Sequence, residues 1–388
     1  MYNQNLNVLS FSFSLWSRSF LQNFEDFASF CLFELHDLVH DLAIYVARDD
    51  FQLLNFQYKN IRENVRHLSV LENDLLLGQI SIPTGLRTIL FPDGANSKPF
   101  LNTCLSRCKY LRLLKLNKSR YKNLPHSIGK LKHLRYINLE KSKELERLPD
   151  SVCKLQNLQT LDLSECENLL KLPNEIGNLI KLQVLYITTK QSNFPEELAK
   201  LSSLEILAFI NCDNLMFSFE GIQFPKLKLL SFSYCGNLKS LPFHIIPNIE
   251  SLIIMDCNMV ILSMGDNNNQ IPKLKLKLIR LNSLPQIVTF PQWFQGCANT
   301  LHTLIIGNCE NLEELPKCLS TFISLKILKI VNCPKLISLP EDVHRLPNLQ
   351  GLTMSGCPEL YRRYEPEVGQ DWYKISHIKH VKVVELED

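Results

Sequence analysis

His36 and His40 lie four residues apart, with Asp37 between them, in the run His36-Asp37-Leu38-Val39-His40. On a helix this spacing puts two imidazoles on one face, where they could hold a zinc ion while a carboxylate activates its bound water. The acid here is Asp, one methylene shorter than the Glu such a site uses, and no third ligand follows at ligand spacing. Cys104 and Cys108 form another pair with no second pair to complete a metal set. None of the 13 glycines sits in a Gly-x4-Gly-Lys-Ser/Thr loop, the arrangement whose backbone cradles phosphates. The residues therefore predict no catalytic group, no metal and no cofactor bound by this chain, and the expectation is a protein that is not an enzyme.

The remaining pattern is architectural. The phrase Leu-x-x-Leu-x-Leu-x-x-Cys occurs as Leu158, Leu161, Leu163, Cys166 and recurs, with Ile or Met in its third place, from Leu301 to Cys309, Leu325 to Cys333 and Leu349 to Cys357, each 24 residues after the last in these three. A fixed period in the twenties with this spacing predicts an α/β leucine-rich-repeat solenoid, with a curved parallel sheet on its concave face and short helical turns on the other. Its first leucines (or their equivalents) are Val65, Leu86, Leu111, Leu134, Leu158, Leu182, Leu204, Leu227, Ile249, Leu276, Leu301, Leu325 and Leu349, which predicts about 13 units over 65–361. Leu-Pro pairs such as Leu124-Pro125 and Leu148-Pro149 place a donorless residue just outside the strand. Behind them Ile128 with Leu131, Val152 with Leu155 and Ile176 with Leu179 fit one short helical turn each.

Composition agrees. Hydrophobic residues make up 45% of 388, enough for a continuous core, and a net charge of +3 does not mark a nucleic-acid binder. No apolar run reaches the roughly 18 residues a membrane span needs. Seven of the 13 cysteines, Cys166, Cys212, Cys235, Cys257, Cys309, Cys333 and Cys357, fill one repeat position and read as packed thiols in a cytoplasmic protein.

Two surfaces stand out. Residues 105–135 contain ten Lys or Arg and no acid, which reads either as a solvated face or as a basic docking patch, Arg107, Lys109, Arg112, Lys115, Lys132 and Arg135, for an acidic protein surface. Alternate strand residues point away from the core. In the early repeats these include Tyr136, Asp162 and Tyr186; later ones present an apolar stripe of Ile206, Ala208, Ile210, Ile253, Met255, Ile305, Ile327 and Val331, with Lys329 among them. This is the expected partner-binding surface.

Three stretches resemble plant NB-ARC–LRR disease-resistance proteins of the coiled-coil class. Leu15-Trp16-Ser17-Arg18-Ser19-Phe20 with Phe24-Glu25-Asp26-Phe27 is similar to the end of that family's winged-helix subdomain. Leu35-His36-Asp37 is similar to its Met-His-Asp motif, with Leu for Met, on a stripe Leu35, Leu38, Leu42, Val46 that predicts a helix over 35–48. Val65-Arg66-His67-Leu68-Ser69 resembles the start of its repeats and Cys357-Pro358-Glu359-Leu360 their end. The resemblance implies a small helical winged-helix remnant over 1–64, the repeats over 65–361 and a C-terminal cap over 362–388. It further implies a cytoplasmic immune-receptor fragment that recognises a pathogen-derived or guarded host protein, and an NB-ARC module, in cis or in trans, as the partner of the basic patch. In full-length members the motif histidine senses bound ADP or ATP. His36 takes that role only where such a module is present. A free-standing adapter that brings two proteins together is the alternative.

Overall fold

The computed structural model describes residues 21–26, 31–35, 45, 47, 49–55, 60–71, 80–193, 196–215, 223–239, 248–262 and 274–385. Each of the 13 first-leucine positions is followed by a parallel strand. These are β4 (His67–Val70), β5 (Thr88–Leu90), β6 (Leu113–Lys115), β7 (Tyr136–Asn138), β8 (Thr160–Leu163), β9 (Val184–Ile187), β10 (Ile206–Ile210), β11 (Leu229–Ser233), β12 (Ser251–Met255), β13 (Leu278–Asn282), β14 (Thr303–Gly307), β15 (Ile327–Val331) and β16 (Gly351–Ser355). Two more strands extend the sheet to 15, in chain order throughout. β3 (Phe51–Leu54) pairs with β4, so the sheet begins before the expected start at residue 65. β17 (His380–Val384) pairs with β16, so the segment expected as a cap also supplies the last strand.

Before the repeats, β1 (Leu21–Asp26) and β2 (Cys31–Leu35) form an antiparallel pair. Leu35, expected at the start of a helix, closes β2 instead; Tyr45 and Ala47 are helical, and His36, Asp37 and His40 lie outside the described residues.

The chain divides into two compact units, residues 1–169 with 173–185, and residues 170–172 with 186–388. In the first, Leu114, Leu116, Ile137, Leu139, Leu161 and Leu163 are buried, and the turn leucines Leu131, Leu155 and Leu179 close the repeats behind them. The Pro-led turns are 3-10 helices: Pro125 and Pro149 stand extended just ahead of His126–Lys130 and Asp150–Lys154. The amide of Leu131 then donates to the Ile128 carbonyl, and that of Leu155 to Val152, both at 3.0 Å. A three-residue hydrogen-bonded turn is tighter than an α-turn and suits so short a return segment. α1 (Lys98–Arg107) packs Phe100, Leu101, Cys104 and Leu105 inward.

In the second unit the same ladder runs through Leu207, Leu230, Leu252, Ile279, Leu304, Leu328 and Leu352, all buried. Phe209 stacks on Phe232 with ring centres 5.3 Å apart, and Phe294 on Phe322 at 5.0 Å. The unit ends in α2 (Pro358–Tyr364), whose Tyr364 hydroxyl accepts the Leu339 amide at 3.3 Å. Asp371 accepts hydrogen bonds from Arg363 at 2.7 Å and Lys374 at 2.9 Å.

One backbone feature repeats in both units. Lys118, Lys141, Glu165, Asn211, Tyr234, Asp256, Ser283, Asn308 and Asn332 all carry positive φ just after their strands. Side chains other than glycine seldom adopt that region. The ladder holds them there: the amide of Lys118 donates to Glu140 O at 2.7 Å, Asn211 to Ser233 O at 2.9 Å and Asn308 to Val331 O at 2.9 Å.

Two outcomes are expected. Leu161→Ala, at a fully buried ladder position, lowers unfolding free energy by about 2–5 kcal/mol in denaturant titration. Burial of Asp371 opposes its charge, yet hydrogen bonds from Lys374 and Arg363 prevail and hold its pKa below the ordinary 3.8. Its contribution is thus present above pH 3.8 and lost as pH falls through the depressed value. Asp371→Ala should cost about 1–3 kcal/mol at neutral pH and show a smaller acid-side loss than the parent chain.

Candidate functional site

Outward positions on the strands of the first unit form a polar ladder. Asn138 donates through Nδ2 to Asp162 Oδ2 at 2.8 Å, and its Oδ1 accepts the Glu140 amide at 3.1 Å. Asp162 Oδ1 accepts both the amide and the hydroxyl of Ser164, at 3.0 and 2.5 Å. Burial raises the Asp162 pKa, against the pull of the Ser164 hydrogen bonds and of Lys115. Tyr136, half-buried beside it, has its phenol pushed up mainly by burial. The expected strand-face residues of this unit are therefore present, but engaged with one another.

The second unit corrects the expected apolar stripe. Ile253 has no exposed surface, and Ile206 and Ala208 expose only 7% and 4%. Both faces of these strands are buried over most of their length, and Leu229, Ser231 and Ser233 of the intervening β11 are buried too. The reason is visible in the residues themselves. Ile206-Leu207-Ala208-Phe209-Ile210 and Leu252-Ile253-Ile254 are continuous apolar runs, the pattern of strands buried on both faces, and alternation is lost. Ile210 and Met255 are half-buried, as is Tyr186 on β9. Alternation returns from β13 onward. There Ile305 and Val331 are half-buried, while Ile327 and Lys329 are exposed on β15.

The basic residues are surface groups. Arg107 closes α1, Lys109, Arg112, Lys132 and Arg135 are exposed, and Lys115 points outward, half-buried, from β6. Sequence spacing missed a finer order. Arg66, Arg87, Arg112 and Arg135 each directly precede a strand or lie one step short of it, and the backbone links them: Arg87 N donates to Arg66 O, Arg112 N to Arg87 O and Arg135 N to Arg112 O, at 2.7–2.8 Å. The signal was available in Arg66-His67-Leu68, Arg87-Thr88-Ile89, Arg112-Leu113-Leu114 and Arg135-Tyr136-Ile137. Beside three of these arginines opens a cleft of ≈ 670 Å³ lined by Asp49, Asp50, Glu63, Asn64, Val65, Arg66, Gly85, Arg87, Tyr110, Arg112 and His133.

Twelve cysteines with described side chains are free thiols, all buried except Cys318. Burial pushes Cys166 up to about 12, which keeps it protonated and unreactive. Among the described residues no group of three His, Cys, Asp or Glu could hold a metal ion, and no helix is long and apolar enough to cross a membrane.

A family profile described as a leucine-rich repeat region matches residues 89–314. The chain is 30% identical over 125 residues to the disease-resistance protein RGA1 of Solanum bulbocastanum, a match covering 32% of this chain and 11% of that protein. The matched chain thus spans about a tenth of that relative's length. Among solved structures, an internalin of Listeria monocytogenes is 14% identical with a TM-score of 0.53, over 84% of this chain and 88% of that one. The leucine-rich repeat domain of the type III effector XopL is 22% identical with a TM-score of 0.45, over 64% of this chain and 77% of that one.

The raised Asp162 pKa has a sign that can be checked. The folded chain holds this proton more tightly than the unfolded chain, so the associated stability is full below pH 3.8 and is lost as pH rises through the raised value. Asp162→Asn has no such loss. Its melting temperature relative to the parent chain should climb as pH is raised from 3.8, and a pH-independent difference would contradict the assignment.

Proposed function

The chain belongs to the leucine-rich-repeat family, and from that premise we propose that it works by binding proteins through its strand faces, as a plant immune-receptor fragment. The observation that carries this reading is the open face of β14–β16. There Ile305, Ile327 and Val331 surround Lys329, an apolar group with a single charge that sets orientation. Leucine-rich repeats in general bind proteins, and an extended sheet of parallel strands offers a broad surface with no enclosed chemistry. The recognised partner is a pathogen-derived or guarded host protein. Support for the immune assignment is the partial likeness to RGA1 together with Leu35-His36-Asp37 and Val65-Arg66-His67-Leu68-Ser69.

In the same reading, the basic residues Arg112, Lys115 and Arg135 dock an NB-ARC module and restrain its nucleotide switch, in the cytoplasm. The ATP or ADP belongs to that module; this chain contributes no cofactor and no covalent chemistry. His36 then senses the nucleotide state of the docked module.

The test uses the full chain and an NB-ARC module of the resembled family supplied as a second chain. Reversing Arg112, Lys115 and Arg135 to Glu should weaken the complex at least about tenfold and flatten or invert its salt dependence. Equal binding by parent and variant would remove the restraint role and leave the free-standing adapter. Ile327→Asp, in contrast, should leave that complex intact and abolish capture of the recognised protein.

A further inference from the structure

One repeat position behaves differently in the two units. Ahead of β10–β13 the residues just before the strands alternate in sign, Glu205, Lys228, Glu250, Lys277: Lys228 pairs with Glu205 at 2.8 Å and Lys277 with Glu250 at 2.9 Å. Neighbouring strands lie about 4.8 Å apart, so alternation neutralises each charge on its own ladder. Ahead of β4–β7 in the first unit the same position reads Arg66, Arg87, Arg112, Arg135. Like charges directly opposite one another on adjacent strands are unfavourable. Only Arg66 has an acid, Asp50 at 3.6 Å; among the described residues, Arg87, Arg112 and Arg135 have none. Arg87 is moreover half-buried, so it has given up water without gaining a counter-ion.

Arg87 and Arg112 line the cleft, together with the open surface above Gly85, and Tyr110 and His133 form its outer wall with rings 5.7 Å apart. A volume of ≈ 670 Å³ falls in the range of small-molecule sites rather than of a protein footprint. Two guanidinium forks one strand apart match the oxygens of a single phosphate. The opposite wall carries Asp49, Asp50 and Glu63. Asp50 faces Arg66, and Asp49 lies 3.8 Å from Arg62, so Glu63 is the carboxylate of this wall placed to accept hydroxyl groups and to repel a second phosphate.

We propose that this cleft binds a phosphate monoester of a polyhydroxylated molecule, with Arg87 and Arg112 holding the phosphate and Glu63 on the acidic wall accepting a hydroxyl. The site goes beyond the protein-binding reading and does not depend on it. His67 gives an independent reporter. Its ring Nδ1 lies 3.0 Å from Thr88 Oγ1, and burial, reinforced by Arg87 and Arg66 against Asp50, holds its pKa below 6.5.

Calorimetric titration of the full chain tests this with glucose 6-phosphate, inorganic phosphate and glucose as probes. The sugar phosphate should bind more tightly than inorganic phosphate, and glucose should not bind. Arg87→Gln should lose at least about tenfold in affinity with no drop in unliganded melting temperature, since it relieves like-charge stacking. Gly85→Glu is a second variant: an added Cβ there meets no atom within 4 Å, so its carboxylate enters the cleft without moving backbone and should block the probe. In the parent chain, binding should raise the His67 pKa seen by NMR; in Arg87→Gln it should not. Vesicles of phosphatidylcholine with and without phosphatidylinositol 4-phosphate distinguish a lipid headgroup from a free sugar phosphate, either of which upholds the site. Equal weak binding of every anion by parent and both variants overturns it. So does binding of a glutamate-rich peptide in the absence of sugar-phosphate binding.

Discussion

A coil of some two dozen residues with leucines on one side cannot bury that side alone. Its inward side chains become core only when the next coil stacks against them. The same stacking satisfies the backbone: each strand's amides and carbonyls find partners in the strands of its neighbours, since an isolated strand exposes both rows. Register is therefore shared between packing and hydrogen bonding. Leu304 faces Leu328, and Leu328 faces Leu352, on the same rungs that carry the backbone ladder.

Features that depend on this rule are written openly in the residues. The leucine spacing locates 13 strands, and Pro125 and Pro149 mark the tight turns because proline excludes itself from the ladder. What escapes are features that depend on neighbours. Tyr234 and Lys118 occupy positive φ although neither residue type prefers it; adjacent carbonyls hold them there. β3 and β17 lack the leucine phrase, and their pairing follows from the edges they meet. Alternation predicts exposed apolar residues on β10 and β12, but the residues of these strands do not alternate, and their outward faces are buried over most of their length.

Charge obeys the same geometry. A repeat brings any chosen position next to its own copies, so composition per position matters more than net charge. The whole chain is nearly balanced at +3, yet one register column carries four arginines ahead of β4–β7 and alternates in sign ahead of β10–β13. Along the sequence only Arg112 and Arg135 fall in the basic run 105–135; Arg66 and Arg87 join them through the register of the strands.

The parallel register also has a kinetic consequence. Paired residues such as Leu304 and Leu328 are 24 positions apart in a chain of 388. The mean sequence separation of strand contacts is therefore only about 0.06 of the chain length, below even the usual range for helical bundles. An all-parallel sheet ordinarily folds slowly because its strands must meet across long loops. Here ordering advances rung by rung, each step closing one short loop against a template already formed, so folding can begin in any repeat and spread along the chain.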